Sequence, residues 1–213
     1  MSSRALVLVG CGGFGREVYS LVHALNEHGE SWDVVGFVDD GPAPADLSRI
    51  EQLGVPHLGG VESLQDCTPN LDVVVAIGSP AVRQRVVSQL AKYPVAFPSL
   101  VHPSATLGIQ VTLGRGSIVA AGSRLSAYIT VADFVHIDQQ VAIGHDTRLD
   151  DFSRLNPSSC ISGYVSIGVG ALVGANATVL AGLEVGPWSV VGAGAVVTHG
   201  VAEGITVKGV PAR

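Results

Sequence analysis

The stretch VADFVHIDQQVAIGHDTRLDDFSRLNPSSCI, residues 131–161, carries an aliphatic residue at every sixth position. The step continues in both directions without an insertion, and every sixth residue from Val101 to Val197 is Val, Ile or Leu. Glycine often follows the aliphatic residue directly, as at Gly144 and Gly168. A six-residue period is neither the period of an α-helix nor the alternation of an ordinary half-buried strand.

This period predicts a parallel β-helix in which each hexapeptide forms one short strand and one corner. Three hexapeptides make a triangular coil, so residues 18 apart should stack, and the array is long enough for about five to six coils. The aliphatic column should point inward and form a continuous core. The alternative, an all-β sandwich, would show irregular turn spacing.

Residues 1–99 have a different pattern and are predicted to form a separate domain. Strand and helix signals alternate: strands at 4–10, 33–38 and 71–77, helices at about 14–28 and 80–91, and a Pro/Ala-rich loop at 41–45. Such alternation indicates a parallel α/β sheet, in effect half of a Rossmann fold. The predicted division is therefore an α/β domain over 1–99 and a β-helix over 100–213.

The sequence GCGGFG at residues 10–15 matches G-x-G-x-x-G after a strand and before a helix. Glycines there permit a tight turn and let a phosphate approach backbone amides at the helix N-terminus. Asp39 ends the second strand, where a carboxylate can accept hydrogen bonds from ribose hydroxyls. A purely structural turn is the alternative. Because about a hundred residues make only half of a dinucleotide fold, a sugar nucleotide fits better than a nicotinamide dinucleotide.

Composition excludes several functional classes. The net charge is −6 and no block of Lys or Arg occurs, which argues against binding of nucleic acid or of a membrane surface. Cys11, Cys67 and Cys160 show neither a disulfide framework nor metal-ligand spacing, which favours a reducing cytoplasm. The apolar run at residues 5–9 is too short for a signal peptide or a membrane span.

Several segments together carry a family resemblance that spans essentially the whole chain. They are VLVGCGGFGREV at 7–18, GFVDD at 36–40, AIGSPAVR at 76–83, the hexapeptide array, and KGVPAR at 208–213. The chain resembles the bacterial nucleotide-sugar N-acetyltransferases and the related sialic acid O-acetyltransferases. The resemblance implies a left-handed β-helix, a homotrimer, a sugar nucleotide held by the α/β domain, acetyl-CoA held by the β-helix, and no metal.

The resemblance also implies roles for individual residues. His145 is the implied general base and Asp146 the carboxylate that orients it. The implied substrate-binding residues are Gly10, Gly12, Gly13, Phe14, Gly15, Asp39, Asp40, Ile77, Gly78, Ser79, Asp138 and Arg154. The implied acetyl-CoA-binding residues are Gly163, whose amide would stabilise the oxyanion, Arg154 and Ala181.

Three residues depart from the family pattern. Asp138 stands where an asparagine is common, Arg154 where a second histidine is common, and Phe14 where some relatives have histidine. A guanidinium does not act as a base, but it can bind phosphate or carboxylate with two hydrogen bonds. These departures leave the acceptor open.

Other histidines and the last cysteine have plainer interpretations. His199 shares the register of His145 three coils later, so spacing alone does not choose between them. His136 is predicted at a corner, and Cys160, one position before an inward residue, is predicted to pack in the core.

The predicted function is acetyl-CoA-dependent N-acetylation of a nucleotide-linked amino sugar, with a 4-amino sugar favoured. A hydroxyl acceptor and a non-catalytic sugar-nucleotide-binding protein remain alternatives. A metalloenzyme of the γ-carbonic anhydrase type is disfavoured, because no two histidines have the H-x-x-x-x-H spacing it needs.

Overall fold

The computed structural model describes residues 3–65 and 71–213. It divides into two compact units, Met1–Pro98 and Ser99–Arg213, each of which is described by itself. Cys67 lies outside the described residues.

Unit 1 is an α/β unit with a four-stranded parallel sheet in the order β2-β1-β3-β4. Its elements in chain order are β1 (Arg4–Val9), α1 (Gly13–Glu27), β2 (Trp32–Val38), α2 (Pro44–Gln52), a 3₁₀ helix (Val61–Leu64), β3 (Leu71–Val75), α3 (Pro80–Leu90) and β4 (Val95–Ala96). Leu6 and Leu8 of β1 and Val73 and Val74 of β3 are fully buried. Continuous apolar burial of this kind is typical of parallel strands that are covered on both faces.

The strand order creates one crevice at the carboxyl edge of this sheet. The chain leaves β1 toward β2 on one side and later returns to β3 on the other side of β1. Ligands of open α/β sheets bind where the strand order reverses in this way. The loops after β1 and β3, which contain residues 10–12 and 76–79, meet at this point.

One segment of unit 1 differs from the prediction. The expected loop at 41–45 ends early, because α2 begins at Pro44. Proline is well tolerated at the first helical position, since its missing N–H would have no partner there. Only Ile50 of α2 is buried, so the helix lacks the apolar stripe by which it could have been predicted.

Unit 2 consists of short strands separated by regular corners. In chain order they are β5 (Leu100–Val101), β6 (Thr106–Leu107), β7 (Thr112–Leu113), β8 (Ile118–Val119), β9 (Arg124–Leu125), β10 (Thr130–Val131), β11 (His136–Ile137), β12 (Ala142–Ile143), β13 (Arg148–Leu149), β14 (Arg154–Leu155), β15 (Cys160–Ile161), β16 (Ser166–Ile167), β17 (Leu172–Val173), β18 (Thr178–Val179), β19 (Glu184–Val185), β20 (Val190–Val191), β21 (Val196–Val197) and β22 (Thr206–Val207).

From β5 to β18, each strand pairs in parallel with the strand three places later in the chain. The partners lie 18 residues apart, for example His136 with Arg154 and Ala142 with Cys160. The result is three parallel sheets of seven, six and five strands, which form the three faces of a β-helix. Only the last coil is shorter, because Val191 pairs with Val207.

The inward aliphatic column forms the core, as the period predicts. From Val119 to Val197 every sixth residue is at most 3% exposed. Leu107, in the first coil, is 38% exposed. Most residues four positions after each inward aliphatic residue are also buried inside the corners, for example Ser153 and Ala177.

Every corner between residues 110 and 194 contains one residue with left-handed backbone conformation. This residue lies three positions after the inward aliphatic residue, and its φ is between 55° and 73° at all fifteen positions. Ten of them are not glycine, although such a conformation is uncommon for other residues. The glycines directly after the aliphatic residues serve another purpose. A Cβ at Gly144 or Gly168 would collide with the backbone of the next coil.

Two predictions about side chains in unit 2 are wrong. His136 lies in strand β11 rather than at a corner, and it is fully buried. Cys160 lies on the outward side of β15 and is exposed rather than packed in the core. Among the residues that the structure describes, no helix has the length and apolar character to cross a membrane.

We expect Leu155→Ala to lower the free energy of unfolding by about 3 kcal/mol, because it empties space in a fully buried column. Leu107→Ala is the matched control. It changes the same repeat position where the side chain is 38% exposed, so a loss below about 1 kcal/mol is expected. Denaturant unfolding measures both, and equal losses would contradict this description of the core.

Candidate active site

His145 and Asp146 lie at the corner between β12 and β13, at adjacent turn positions. Asp146 has the left-handed conformation, with φ of 55°, which aspartate tolerates better than most residues. Its Oδ2 lies 2.7 Å from Nδ1 of His145. Because a carboxylate only accepts hydrogen bonds, a neutral imidazole in this contact carries its proton on Nδ1 and keeps the lone pair on Nε2. Both side chains remain about half exposed, so the lone pair is accessible to a substrate.

Gly163 lies one coil above His145, and the imidazole ring occupies the space that a side chain at position 163 would need. Its φ is not in the left-handed region, so the turn itself does not require glycine. A Cβ at this position would lie 2.9 Å from both Cε1 and Nε2 of His145. Any larger residue would therefore displace the ring.

The backbone amide of Gly163 lies at a turn position at which other amides of unit 2 donate to a carboxylate oxygen. Two amides at the same turn position of another corner, those of Arg115 and Asp133, each donate to a carboxylate oxygen of the next coil, at 3.1 and 2.9 Å. One coil above Gly163 the equivalent residue is Ala181, which has no acceptor in its side chain. The Gly163 amide donates no hydrogen bond to any part of the chain described in the structure.

Asp138, which directly follows β11, and Arg154 of β14 form a buried ion pair. Nη2 and Nε of Arg154 donate to Oδ2 of Asp138 at 2.8 and 3.1 Å. The side chains are 16% and 2% exposed. The two departures from the family pattern are thus direct partners, and neither contacts His145 among the described hydrogen bonds and ion pairs.

His199 occupies the same corner position as His145, three coils later, but it has no carboxylate partner among the described residues. It is exposed, and its Nδ1 lies 3.0 Å from the hydroxyl of Thr198 rather than from a carboxylate. The structure thereby separates two histidines that spacing alone could not.

The glycines of residues 10–15 in unit 1 fall into two groups. Gly10 has φ of 102°, and a Cβ there would lie 2.9 Å from the carbonyl oxygen of Ala76. A Cβ at Gly15 would collide with the carbonyl of Gly10. By contrast, no described atom lies within 4 Å of a Cβ placed at Gly12, and only the Arg16 side chain approaches one at Gly13. Internal packing therefore explains Gly10 and Gly15, whereas Gly12 and Gly13 leave open space at the start of α1.

The carboxylates of Asp39 and Asp40 accept hydrogen bonds from backbone amides around this crevice. Asp39 accepts hydrogen bonds from the amides of Cys11 and Gly41, both at 3.0 Å. Burial and the neighbouring Asp39 carboxylate raise the pKa of the Cys11 thiol to about 12, so this cysteine stays protonated. Asp40 accepts from the amide of Val61 at 2.7 Å and caps the 3₁₀ helix.

The loop after β3 is fixed by an arginine that the sequence analysis did not single out. Arg83 is fully buried, and its Nη1 donates to the carbonyl oxygens of Ile77 and Gly78 at 2.8 and 3.3 Å. Ser79 accepts from the amide of Val82 and so caps α3. The signal for Arg83 was available, because a charged residue stands on the otherwise apolar buried face of α3.

Comparison with known proteins shows what the two units are similar to. The family model for the PglD N-terminal domain matches residues 5–90, and the model for the hexapeptide repeat of succinyl-transferase matches residues 164–199. The solved structure of PerB from Caulobacter crescentus, in complex with CoA and GDP-perosamine, has a TM-score of 0.85 and 30% identity. It covers 100% of this chain and 97% of that one.

The chain belongs to the nucleotide-sugar N-acetyltransferase family. The acetyltransferase domain of PglB from Neisseria gonorrhoeae FA1090, solved in complex with acetyl coenzyme A, supports this with a TM-score of 0.85, 28% identity, and coverage of 100% of this chain and 99% of that one. The predicted family, the acetyltransferase class and the left-handed β-helix fold are thereby confirmed.

Curated relatives within and beyond this family match over part of their length. UDP-N-acetylbacillosamine N-acetyltransferase from Bacillus subtilis (strain 168) is 28% identical over 116 residues, which are 54% of this chain and 51% of the relative. The matches span about a third to a half of the length of the first curated relatives. Within residues 3–65 and 71–213, no group of three or more His, Cys, Asp or Glu side chains is placed to hold a metal ion.

The ion pair between Asp138 and Arg154 predicts strong coupling between the two positions. We expect Asp138→Asn alone, or Arg154→His alone, to lower the free energy of unfolding by about 3 kcal/mol, because each leaves a buried charge without its partner. The double variant, which installs the residues common in the family, should lose less than about 1 kcal/mol. Denaturant unfolding of the four proteins forms a double-mutant cycle, and additive losses would contradict the coupling.

Proposed function

We propose that the protein transfers an acetyl group from acetyl-CoA to the amino group of a nucleotide-linked amino sugar, with His145 as general base. The observation that carries this proposal is the hydrogen bond of 2.7 Å between Nδ1 of His145 and Asp146, beside the open amide of Gly163. Structural relatives over the full chain bind acetyl coenzyme A and GDP-perosamine, which supports the same two substrate classes here.

The reaction follows from these groups. Nε2 of His145 removes a proton from the sugar amine, which attacks the thioester carbon as its lone pair forms the new C–N bond. The negative charge that develops on the carbonyl oxygen is stabilised by the amide of Gly163. Collapse of the tetrahedral intermediate breaks the C–S bond, and the imidazolium returns the proton to the departing thiolate. Asp146 stabilises the imidazolium throughout.

A groove beside this corner supports a binding place for acetyl-CoA. It has a volume of about 460 Å³ and is lined in part by Arg124, Gly144 and Cys160. Arg124 is exposed on the outward side of β9 and supplies a positive charge for the phosphates of CoA. Ala181, predicted from the resemblance to contact the donor, lies two coils above His145 and stays a prediction.

For the sugar nucleotide, we propose the crevice of unit 1. The open space at Gly12 and Gly13 lets a phosphate approach the amides at the start of α1. Phe14 is half-buried in the first turn of α1, beside these amides. The loops at the same carboxyl edge of the sheet contain Asp39, Asp40, Ile77, Gly78 and Ser79, which accept hydrogen bonds from Arg83 or from backbone amides.

Roles of Asp138 and Arg154 in substrate binding also stay predictions. A guanidinium fixed by a buried carboxylate is suited to an anionic or polar group of the acceptor. Homotrimer formation and a cytoplasmic location are likewise proposed from the family resemblance.

The test is release of CoA thiol from acetyl-CoA against a panel of UDP-, dTDP- and GDP-linked 4-amino sugars. We expect one amino sugar to support turnover, and His145→Ala to lower kcat by about 10²- to 10⁴-fold through loss of the base. His199→Ala is the matched control, because it removes an exposed histidine in the same column that has no carboxylate partner.

Two outcomes would contradict the proposal. An equal loss of kcat in His145→Ala and His199→Ala would contradict the role of His145 as general base. If no amino sugar supports turnover in protein that still binds acetyl-CoA, the amine acceptor is rejected. Turnover with sugars that offer only hydroxyl groups would then favour O-acetylation. Binding of a sugar nucleotide without any acetyl transfer would favour a non-catalytic protein.

A further inference from the structure

Aromatic residues at the left-handed turn positions lean onto the coil before them. Five of these ten non-glycine positions are aromatic, namely Tyr128, Phe134, Phe152, Tyr164 and Trp188. Phe152 stacks on Phe134, one coil earlier, with centroids 5.4 Å apart and planes 3° apart. Trp188 lies against Gly170, where a Cβ would collide with its ring. The corner geometry thus directs a turn aromatic toward the preceding coil.

At the corner that carries the proposed base, the turn aromatic is Tyr164, and it leans onto His145. The two rings are 5.0 Å apart with planes at 89°, an edge-to-face arrangement that aromatic pairs favour. The Tyr164 amide also donates to the carbonyl oxygen of His145 at 2.9 Å. Backbone and ring of Tyr164 are therefore both fixed relative to His145.

These contacts restrict a side chain that is otherwise exposed. The His145 side chain is 53% exposed at a corner, where an imidazole would ordinarily sample several rotamers. Asp146 holds Nδ1, the Gly163 backbone leaves room for the Cε1 and Nε2 side of the ring, and Tyr164 closes a further side. Nε2, the atom that has to meet the amine, makes no hydrogen bond to the described residues.

We propose that Tyr164 is a positioning residue that holds the imidazole of His145 in its productive orientation. The proposal rests on the proposed role of His145 as base. The aromatic ring, rather than the phenolic hydroxyl, does the positioning, because the contact with His145 is a ring contact. A fixed ring raises the fraction of encounters in which Nε2 is aligned with the amine, so the effect falls on kcat.

The chain offers a matched control in Tyr128. It occupies the same turn position two coils before Tyr164, with φ of 55° against 58° and exposure of 58% against 63%. No contact between Tyr128 and the His145 ring is present among the described residues. Asn is the replacement at both sites, because it tolerates the left-handed conformation and so adds little backbone strain.

The experiment combines kinetics with ¹⁵N NMR of histidine-labelled protein in the absence of substrates. In wild type, Tyr164→Phe and Tyr128→Asn, we expect ¹⁵N shifts of a single His145 tautomer with the proton on Nδ1. In Tyr164→Asn the imidazole is free to turn away from Asp146, so we expect averaged shifts of two tautomers. The same variant should lose about tenfold in kcat, the scale of one aromatic pair contact. Its KM values should stay within about twofold of wild type, because no substrate contact is removed.

The NMR arm tests the positioning role even if the amino-sugar panel is silent, so failure of the proposed function and failure of this inference are distinguishable. A single Nδ1–H tautomer in Tyr164→Asn would overturn the inference. A rise in KM without a change in tautomer would also overturn it, since Tyr164 would then be a substrate contact. Loss of kcat in Tyr164→Phe would assign the effect to the hydroxyl and reject the ring contact.

Discussion

The constraint on which unit 2 depends is the 18-residue register between successive coils. Backbone hydrogen bonds join each strand to the strand one coil above, and parallel strands paired in this way are about 4.8 Å apart. Backbone pairing therefore places residues about 18 positions apart in the chain next to each other at a corner. His145, Gly163 and Tyr164 satisfy this spacing, and the proposed site follows from it. Burial of the inward aliphatic column maintains the register along the whole solenoid.

The sequence allowed the solenoid to be predicted almost completely, because its signal is repeated seventeen times and the inward residues from Val119 to Val197 share one buried environment. Unit 1 was predicted less well. Its buried strands are apolar and easily recognised, whereas α2 buries only Ile50 and shows no stripe. His136 and Cys160 were misplaced for a related reason. Position in a repeat defines which residues face inward, but it does not determine how deeply an outward side chain is covered.

The candidate site residues also divide into those whose contacts are local in sequence and those whose contacts depend on the fold. The pair His145–Asp146 is local in sequence and could be proposed from its order and corner position. The partnership of Asp138 with Arg154, the burial of Arg83 and the ring contact of Tyr164 depend on side-chain directions across coils or loops, which spacing alone does not specify. The requirement for glycine at position 163 also depends on such directions, because only the structure shows that the imidazole of His145 lies where a Cβ of residue 163 would be.

In the proposed mechanism, one corner of the solenoid supplies both the base and the oxyanion donor. A crystal structure of the complex with acetyl-CoA would test this arrangement. We expect the thioester carbonyl oxygen to lie about 3 Å from the Gly163 amide nitrogen, with the thioester carbon facing the Nε2 side of His145. A thioester bound at another corner, or one with its oxygen turned away from Gly163, would contradict it.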